Sequence, residues 1–186
     1  IRLKNKNKEF EKKLFYSFDL IGNSENIKNI KEQINKISVS ESRIFINGPT
    51  GSGKELIARK IHKGSSRKNE PFIVLNGALL GTEKYELELF GEEKKDGSIS
   101  YGALEKSTKG ILLIDEIAEI PLDTQSKILR VLTDQKFKRI NGNHDINVNV
   151  RIICSSSKDI KAEIKNGNFR EDLYHRLNVF EINIEP

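Results

Sequence analysis

The stretch "FINGPTGSGKELIARKIH", residues 45–62, decides the fold of this chain. Its centre, residues 48–54, matches the pattern G-x-x-x-x-G-K between a short apolar run and a helical pattern. Glycines permit positive φ, so successive backbone N–H groups can point at phosphate oxygens, and the following helix adds its positive end. Lys54 is then expected to reach the β and γ phosphates. The alternative is an ordinary glycine-rich turn, which the strand before the loop and the helix after it disfavour.

Apolar runs alternate with helical patterns on both sides of this loop. The predicted strands are residues 43–47, 71–76, 110–117, 147–157 and 179–184, and the predicted helices are 24–38, a helix ending near 62, 83–90, 121–135 and 158–167. The pair Asn141-Gly142 is a hairpin signal. Buried strands that alternate with helices predict an α/β fold with a mainly parallel five-stranded sheet.

Composition sets the class of protein. The chain has 186 residues, with 36% hydrophobic and 32% charged residues, which suits one globular domain. No apolar run approaches the roughly 18 residues of a membrane span, and the one cysteine, Cys154, excludes an internal disulfide. The net charge of +5 is compatible with a nucleic-acid surface or with the codon bias of an AT-rich genome. We expect a cytoplasmic protein, and since the chain begins at Ile1 and contains no Met, a piece of a longer one.

Two acids follow the apolar run of residues 111–114. Asp115 is the expected protein ligand of Mg²⁺, because a phosphate loop needs a carboxylate at the end of a neighbouring strand. Glu116 comes next and is expected to act as general base on a water, and also to lie near the metal. A polar turn after the strand is the alternative, which the phosphate loop upstream disfavours.

Glu55 stands where such loops normally carry Ser or Thr, whose hydroxyl binds the metal. A carboxylate this close to phosphates is repelled unless a cation intervenes. Glu55 therefore either turns outward or assists the metal through water.

Several motifs together resemble the AAA+ domains of NtrC-like response regulators, which act with sigma-54 RNA polymerase. They are "GPTGSGKE", "ELELFG", "GILLIDEI", "QSKILRVL", "VNVRII" and "FREDLYHRLNV", in the order of that family. The resemblance covers residues 18–186 and implies a P-loop NTPase three-layer sandwich. Glu after the lysine is usual in that family. Residues 1–18 would be a linker from an upstream receiver domain, 19–186 the nucleotide-binding subdomain, and the helical lid and DNA-binding domain would lie outside the chain.

The resemblance assigns roles residue by residue. Asn76 matches the asparagine that holds the Walker B glutamate, here Glu116, unless it is merely a turn former at the strand end. Ser156 and Ser157 occupy the sensor position, and a hydroxyl there can hydrogen-bond a phosphate or the attacking water. The expected nucleotide contacts are Leu20, Ile21, Gly22, Gly48, Thr50, Gly51, Ser52, Gly53, Lys54, Glu55, Leu56 and Ser157.

Arg170 and Arg176 match the arginine-finger pair of the family. A finger stabilises transition-state charge in a neighbouring protomer, so it requires a dimer or a hexameric ring. The alternative is that one of them pairs with Glu171 or Asp172 in its own chain.

One segment departs from the family. Activators carry G-A-F-T-G-A in an exposed loop that contacts sigma-54, whereas this chain has "EEKKDGSISYGALEKS", residues 92–107, with a polar tip. This short loop and the serine sensor resemble the NtrX branch.

The resemblance implies an ATP-binding regulator of a two-component system that hydrolyses Mg-ATP between protomers, with weak turnover in this fragment. Sensor kinase and promoter DNA would be partners through domains outside the chain, RNA polymerase holoenzyme is a further candidate partner, and no membrane is expected. The alternative is a regulator whose oligomerisation and DNA binding respond to nucleotide and which does not remodel the sigma-54 holoenzyme.

Overall fold

The computed structural model of the chain describes residues 25–78 and 81–185. The helices are α1 (Glu25–Ser38), α2 (Lys54–Gly64), α3 (Thr82–Phe90), α4 (Ala103–Lys106), α5 (Leu122–Asp134), α6 (Ile160–Lys165) and α7 (Glu171–Leu177), with a 3-10 turn at Ile117–Glu119. The strands are β1 (Ile44–Asn47), β2 (Phe72–Asn76), β3 (Gly91–Glu93), β4 (Ile99–Tyr101), β5 (Ile111–Asp115), β6 (Lys136–Phe137), β7 (Ile146–Asn147), β8 (Arg151–Ser156) and β9 (Phe180–Asn183). The expected linker, residues 1–18, lies outside the described residues.

The central sheet has five strands in the order β2-β5-β8-β1-β9, and all neighbouring strands are parallel. The predicted fold class is therefore confirmed. Parallel strands end at the same edge, so the loop after β1, Asp115 at the end of β5 and Glu116 directly after it lie at one edge of the sheet. The register places Asn76, the last residue of β2, beside Asp115, the last residue of β5.

The strands are apolar on both faces because helices cover both faces. On one face, Ile44 and Ile46 pack with isoleucines of α1 and α2. Phe45, which lies between them in β1, points to the other face and packs with side chains of α3, α5 and α7. Each fully buried isoleucine stabilises the fold by about 1.5–3 kcal/mol, which explains why strands buried on both sides read as continuous apolar runs.

The spacing of isoleucines in the sequence of α1 explains how this helix packs on the rest of the domain. Ile30, Ile34 and Ile37 recur at spacings of three and four and are at most 5% exposed. That spacing places them on one side of the helix, against α2 and the sheet. None of the helices within residues 25–78 and 81–185 has the length and apolar character that crossing a bilayer requires.

The hairpin that Asn141-Gly142 signals is present, and its loop is longer than two residues. β6 and β7 do pair antiparallel, but residues 138–145 separate them. Asn141 takes a positive φ of 60°, and the N–H of Gly142 donates to the carbonyl of Arg139 at 3.0 Å. Asn141 and Gly142 therefore form a tight turn inside the loop, and the loop of residues 138–145 as a whole connects β6 to β7.

The segment that departs from the activator family forms a short antiparallel ribbon, β3 with β4. Its turn is closed by the N–H of Lys94, which donates to the carbonyl of Ser98 at 2.9 Å, and Gly97 supplies a φ of 82°. The Asp96 carboxylate accepts from the backbone N–H and the hydroxyl of Ser98. These contacts make residues 94–98 a compact turn.

Candidate functional site

The loop after β1 has the curvature that its glycines predict. Gly51 and Gly53 have φ values of 80° and 89°, a region that favours glycine. Gly48 is needed for space, since an added Cβ would lie 2.8 Å from Ser52 Oγ and 2.9 Å from the Cβ of Ile184. The loop leads directly into α2, which begins at Lys54.

Lys54 folds back over this loop and is only 6% exposed. Its ammonium donates to the carbonyls of Gly48 at 2.9 Å and Pro49 at 3.2 Å. It also lies 3.1 Å from Glu116 Oε1. The lysine is thus held at the mouth of the loop with all three N–H groups engaged.

The Asp115 carboxylate receives a hydrogen bond on each oxygen. The amide of Asn76 donates to Oδ2 at 2.7 Å, and the hydroxyl of Ser155 donates to Oδ1 in a short contact. Asn76 was expected to hold Glu116, and in this structure it holds Asp115 instead. The reason is register, because Asn76 and Asp115 are direct partners on β2 and β5.

Glu116 turns away from Asn76 because its backbone is left-handed, with φ 52° and ψ 51°. Its Oε2 accepts from the backbone N–H of Ser157 at 2.9 Å and from the Ser157 hydroxyl at 2.8 Å. Burial raises the pKa of this carboxyl, but the hydrogen bonds from Ser157 and the ammonium of Lys54 outweigh burial, so the pKa is lowered overall. Glu116 is therefore a carboxylate anion at neutral pH.

Glu55 turns outward. Its side chain is 49% exposed and lies 2.6 Å from a guanidinium nitrogen of Arg59, one helical turn further along α2. Of the two predicted orientations, the structure has the outward one.

A buried polar atom in the loop lacks a partner. Within residues 25–78 and 81–185, the hydroxyl of Ser52 accepts and donates no hydrogen bond although its oxygen is inaccessible to solvent. A buried hydroxyl without a partner costs about 1–3 kcal/mol. A phosphate oxygen at the loop would accept from it, so the residues present suit a phosphate group.

A cavity of about 610 Å³ adjoins the loop. Its walls include Ile27 and Ile30 of α1, Ile57 of α2 and Ile184 after β9, and Thr50, Gly51 and Ser52 border it. An apolar cavity beside a phosphate-sized loop fits a flat heterocyclic base. Leu20, Ile21 and Gly22, expected to border such a base, lie outside the described residues.

The comparisons with known proteins agree with this geometry. The sigma-54 interaction domain family matches residues 20–183. This chain belongs to that family. The resemblance stated from the sequence motifs is therefore confirmed.

The relatives of this sigma-54 interaction domain are longer proteins. NtrX of Azorhizobium caulinodans is 43% identical over 187 residues, covering 100% of this chain and 41% of that protein. AtoC of Escherichia coli is 42% identical over 171 residues, covering 90% of this chain and 37% of that protein. The chain therefore spans about two fifths of the length of these two relatives.

Solved structures show the same fold with nucleotide bound. NtrX from Brucella abortus in complex with ADP has a TM-score of 0.91 and 41% identity, covering 99% of this chain and 41% of that chain. The same protein in complex with ATP has a TM-score of 0.85 and 45% identity, covering 90% of this chain and 38% of that chain.

The two arginines of the domain's "FREDLYHRL" segment lie apart from the loop. Arg170 makes a bidentate pair with Asp172, at 3.0 and 2.7 Å, and a third bond to Ser126 Oγ at 3.2 Å. Arg176 is exposed in the last turn of α7. Among the described contacts, neither guanidinium bonds to Lys54 or to the acids after β5. Pairing of Arg170 with Asp172, one of the open alternatives, is what this sigma-54 interaction domain shows within its own chain.

Sequence reasoning missed Ser155. It is fully buried on β8 and bonds to Asp115, whereas the resemblance pointed only to Ser156 and Ser157. Ser156 bonds locally to Lys158. The run of three serines at the end of an apolar strand was the available signal, and strand pleating decides which hydroxyl faces β5.

Proposed function

We propose that this domain binds ATP with Mg²⁺ and hydrolyses it between protomers, as the nucleotide-binding core of a cytoplasmic two-component transcriptional regulator. One observation carries the proposal: the Lys54 ammonium, pinned by two loop carbonyls, lies 3.1 Å from Glu116, the residue after Asp115. The ADP and ATP complexes of Brucella abortus NtrX support it.

The loop residues would hold the phosphates. Mg-ATP, when bound, supplies a γ-phosphoryl group activated for transfer and a cation that neutralises its charge. The backbone N–H groups around Gly51 and Gly53 and the free hydroxyl of Ser52 would bind phosphate oxygens. Lys54 would exchange its carbonyl partners for phosphate, a stronger acceptor. Asp115 would hold the metal, and the hydrogen bonds from Asn76 and Ser155 that orient its carboxylate support this role.

Glu116 would act as the base that takes a proton from water. In this structure Lys54 occupies one of its oxygens and Ser157 the other. A carboxylate with both oxygens engaged accepts a proton poorly, so turnover requires that at least one of these contacts opens. Engagement of Lys54 by phosphate would open the first.

The arginines support assembly. Arg176 is exposed, and within the described part of the chain it has no ion-pair partner. Neither Arg176 nor Arg170 bonds to the loop of its own chain, so a role in catalysis needs a second protomer. The proposal therefore includes assembly of the protein into a dimer or a hexameric ring.

The partners proposed for the whole protein are a sensor kinase, promoter DNA and RNA polymerase holoenzyme.

A second candidate function rests on the ribbon of β3 and β4. Its turn, residues 94–98, is short and charged and lacks the Phe-Thr tip that the activator family carries. In this alternative, nucleotide controls oligomerisation and DNA affinity without remodelling of the sigma-54 holoenzyme.

The substitution Glu116→Gln in the full-length protein distinguishes the proposed function, which needs ATP hydrolysis, from the second candidate, which does not. The proposal expects ATP affinity within a few fold of wild type, turnover reduced by about 10²-fold or more, and loss of transcriptional control. Glu88→Gln, an exposed change on α3, is the control. Retained control of transcription with turnover abolished would favour the second function, and retained turnover would refute hydrolysis by Glu116.

A further inference from the structure

A second cavity, of about 340 Å³, lies at the other end of the sheet from the phosphate loop. It is found where the parallel strands begin, since Arg43 directly precedes β1 and Arg151 opens β8. Three guanidinium side chains line it, those of Arg43, Arg67 and Arg151, against one carboxylate, Glu41.

Arg67 is neutralised within the cavity wall. Its guanidinium lies 2.7 Å from Glu41, and it also donates to the carbonyl of Gly110 at 3.0 Å and of Asn149 at 3.1 Å. The charges of this pair cancel, and the Glu41 carboxylate also interacts electrostatically with Arg151.

Arg151 is 2% exposed, and carbonyl groups rather than a carboxylate surround it. It donates to Ile37 at 2.8 Å and Ser38 at 3.2 Å, the end of α1, and to Ser42 at 3.0 Å. These contacts cap the helix, which explains why the arginine is there. Each of the two terminal nitrogens uses one of its two N–H groups in this way, and among the described residues no carboxylate forms a hydrogen bond or ion pair with Arg151.

Arg43 is the arginine that the fold does not explain. Its side chain is half-buried, and within the described residues its guanidinium makes no hydrogen bond or ion pair. Burial lowers its pKa, and the nearby positive charge of Arg176 lowers it further. A partly desolvated cation beside like charge is unfavourable unless an anion joins it.

We propose that this cavity binds one compact oxyanion of the phosphate class, held by Arg43 and the unused N–H groups of Arg151. The three arginines and Glu41 leave a charge of +2 (three minus one), which one dianion would neutralise. Guanidinium groups match the geometry of phosphate oxygens. A single small anion fits the cavity better than a long polyanion, because Glu41 at the wall repels further negative charge.

The phosphate loop would also bind phosphate, so the experiment uses a chain in which Lys54→Ala weakens binding at that loop. The full chain carrying Lys54→Ala is titrated with inorganic phosphate at constant ionic strength, while the ¹⁵N signals of the arginine Nε–H groups are recorded. A saturable site of about millimolar affinity that shifts the Arg43 signal is expected. Arg43→Gln in the same background should weaken binding by about tenfold or more, and Arg43→Lys should restore part of it.

Arg130→Gln is the matched control, since Arg130 is exposed on α5 and does not line this cavity. Methyl phosphate, titrated in parallel, shows whether the site prefers free phosphate or a phosphate monoester, and binding of either supports the site. Absence of saturable binding in the Lys54→Ala chain, or equal affinity with and without Arg43, overturns the proposal. Neither result bears on nucleotide binding at the loop after β1, because that loop is weakened equally in every chain compared and the chains differ only at Arg43.

Discussion

The ammonium of Lys54 lies 3.1 Å from a carboxylate oxygen of Glu116, so the two residues expected to act on ATP form an ion pair with each other. The contact is sheltered, with 6% and 13% of the two side chains exposed. Because phosphate would compete with Glu116 for this one ammonium, we expect nucleotide binding to release the Glu116 carboxylate.

Lys54→Ala should weaken ATP binding by about 10–100-fold, since it removes a charge-assisted contact with phosphate. Isothermal titration with ATP measures the loss. Lys68→Ala, an exposed change after α2, is the control and should leave affinity unchanged. Unchanged affinity in Lys54→Ala would mean that the loop does not hold the phosphates.

Gly48→Ala should destabilise the domain by about 1–3 kcal/mol, because its Cβ meets Ser52 and Ile184 at under 3 Å. It should also weaken ATP binding, since the loop must shift to make room. Gly81→Ala is the matched control, with an ordinary φ of −64° and no atom within 4 Å of the added Cβ. Equal denaturation midpoints for the two variants would contradict the packing argument.

Ser155→Ala should raise the Mg²⁺ concentration needed for half-maximal ATPase activity, by about threefold to tenfold, because Asp115 loses one of its two orienting donors. Ser107→Ala also removes a buried hydroxyl, but one that bonds to carbonyls of its own helical turn. It should cost stability without changing the Mg²⁺ requirement. The same Mg²⁺ dependence in both variants would leave Ser155 a purely structural role.

Arg176→Ala should lower turnover by about 10³-fold or more if the arginine acts across an interface. Mixing it with Glu116→Gln then gives a specific result. Each variant alone is inactive, and the mixture recovers part of the ATPase activity, because some interfaces pair an intact arginine with an intact glutamate. Suppose that mixed assemblies are shown to form but recover no ATPase activity. The arginine would then act within its own chain.

The pH dependence of stability follows from Glu116, whose pKa is lowered below its ordinary value of 4.5. A depressed carboxyl pKa stabilises the fold above the unfolded-state value, and the stabilisation is lost as pH falls through the folded-state value. The difference in free energy of unfolding between wild type and Glu116→Gln should therefore be full near pH 7 and shrink below about pH 4.5. Denaturant titrations at pH 7 and at lower pH measure it, and a constant difference would contradict the ion pair.

Sequence patterns predicted most of the helices and strands of the central fold, because these patterns depend on the geometry of residues close together in the chain. The spacing of Ile30, Ile34 and Ile37 is a property of helix geometry, and the apolar run at residues 111–114 reflects a strand covered on both faces. The loop at residues 48–54 was recognisable because positive φ demands glycine at particular steps. The ribbon of β3 and β4 was missed, since three-residue strands leave almost no periodicity.

The sequence by itself determined the fold class, the phosphate loop and the identity of the acids after β5, because each depends on neighbours in the chain. Only the tertiary structure decided which donors those acids receive. Asn76 holds Asp115 and Ser157 holds Glu116, across 39 and 41 residues of chain. Strand register and one left-handed residue set these contacts, and both are consequences of how the whole sheet packs.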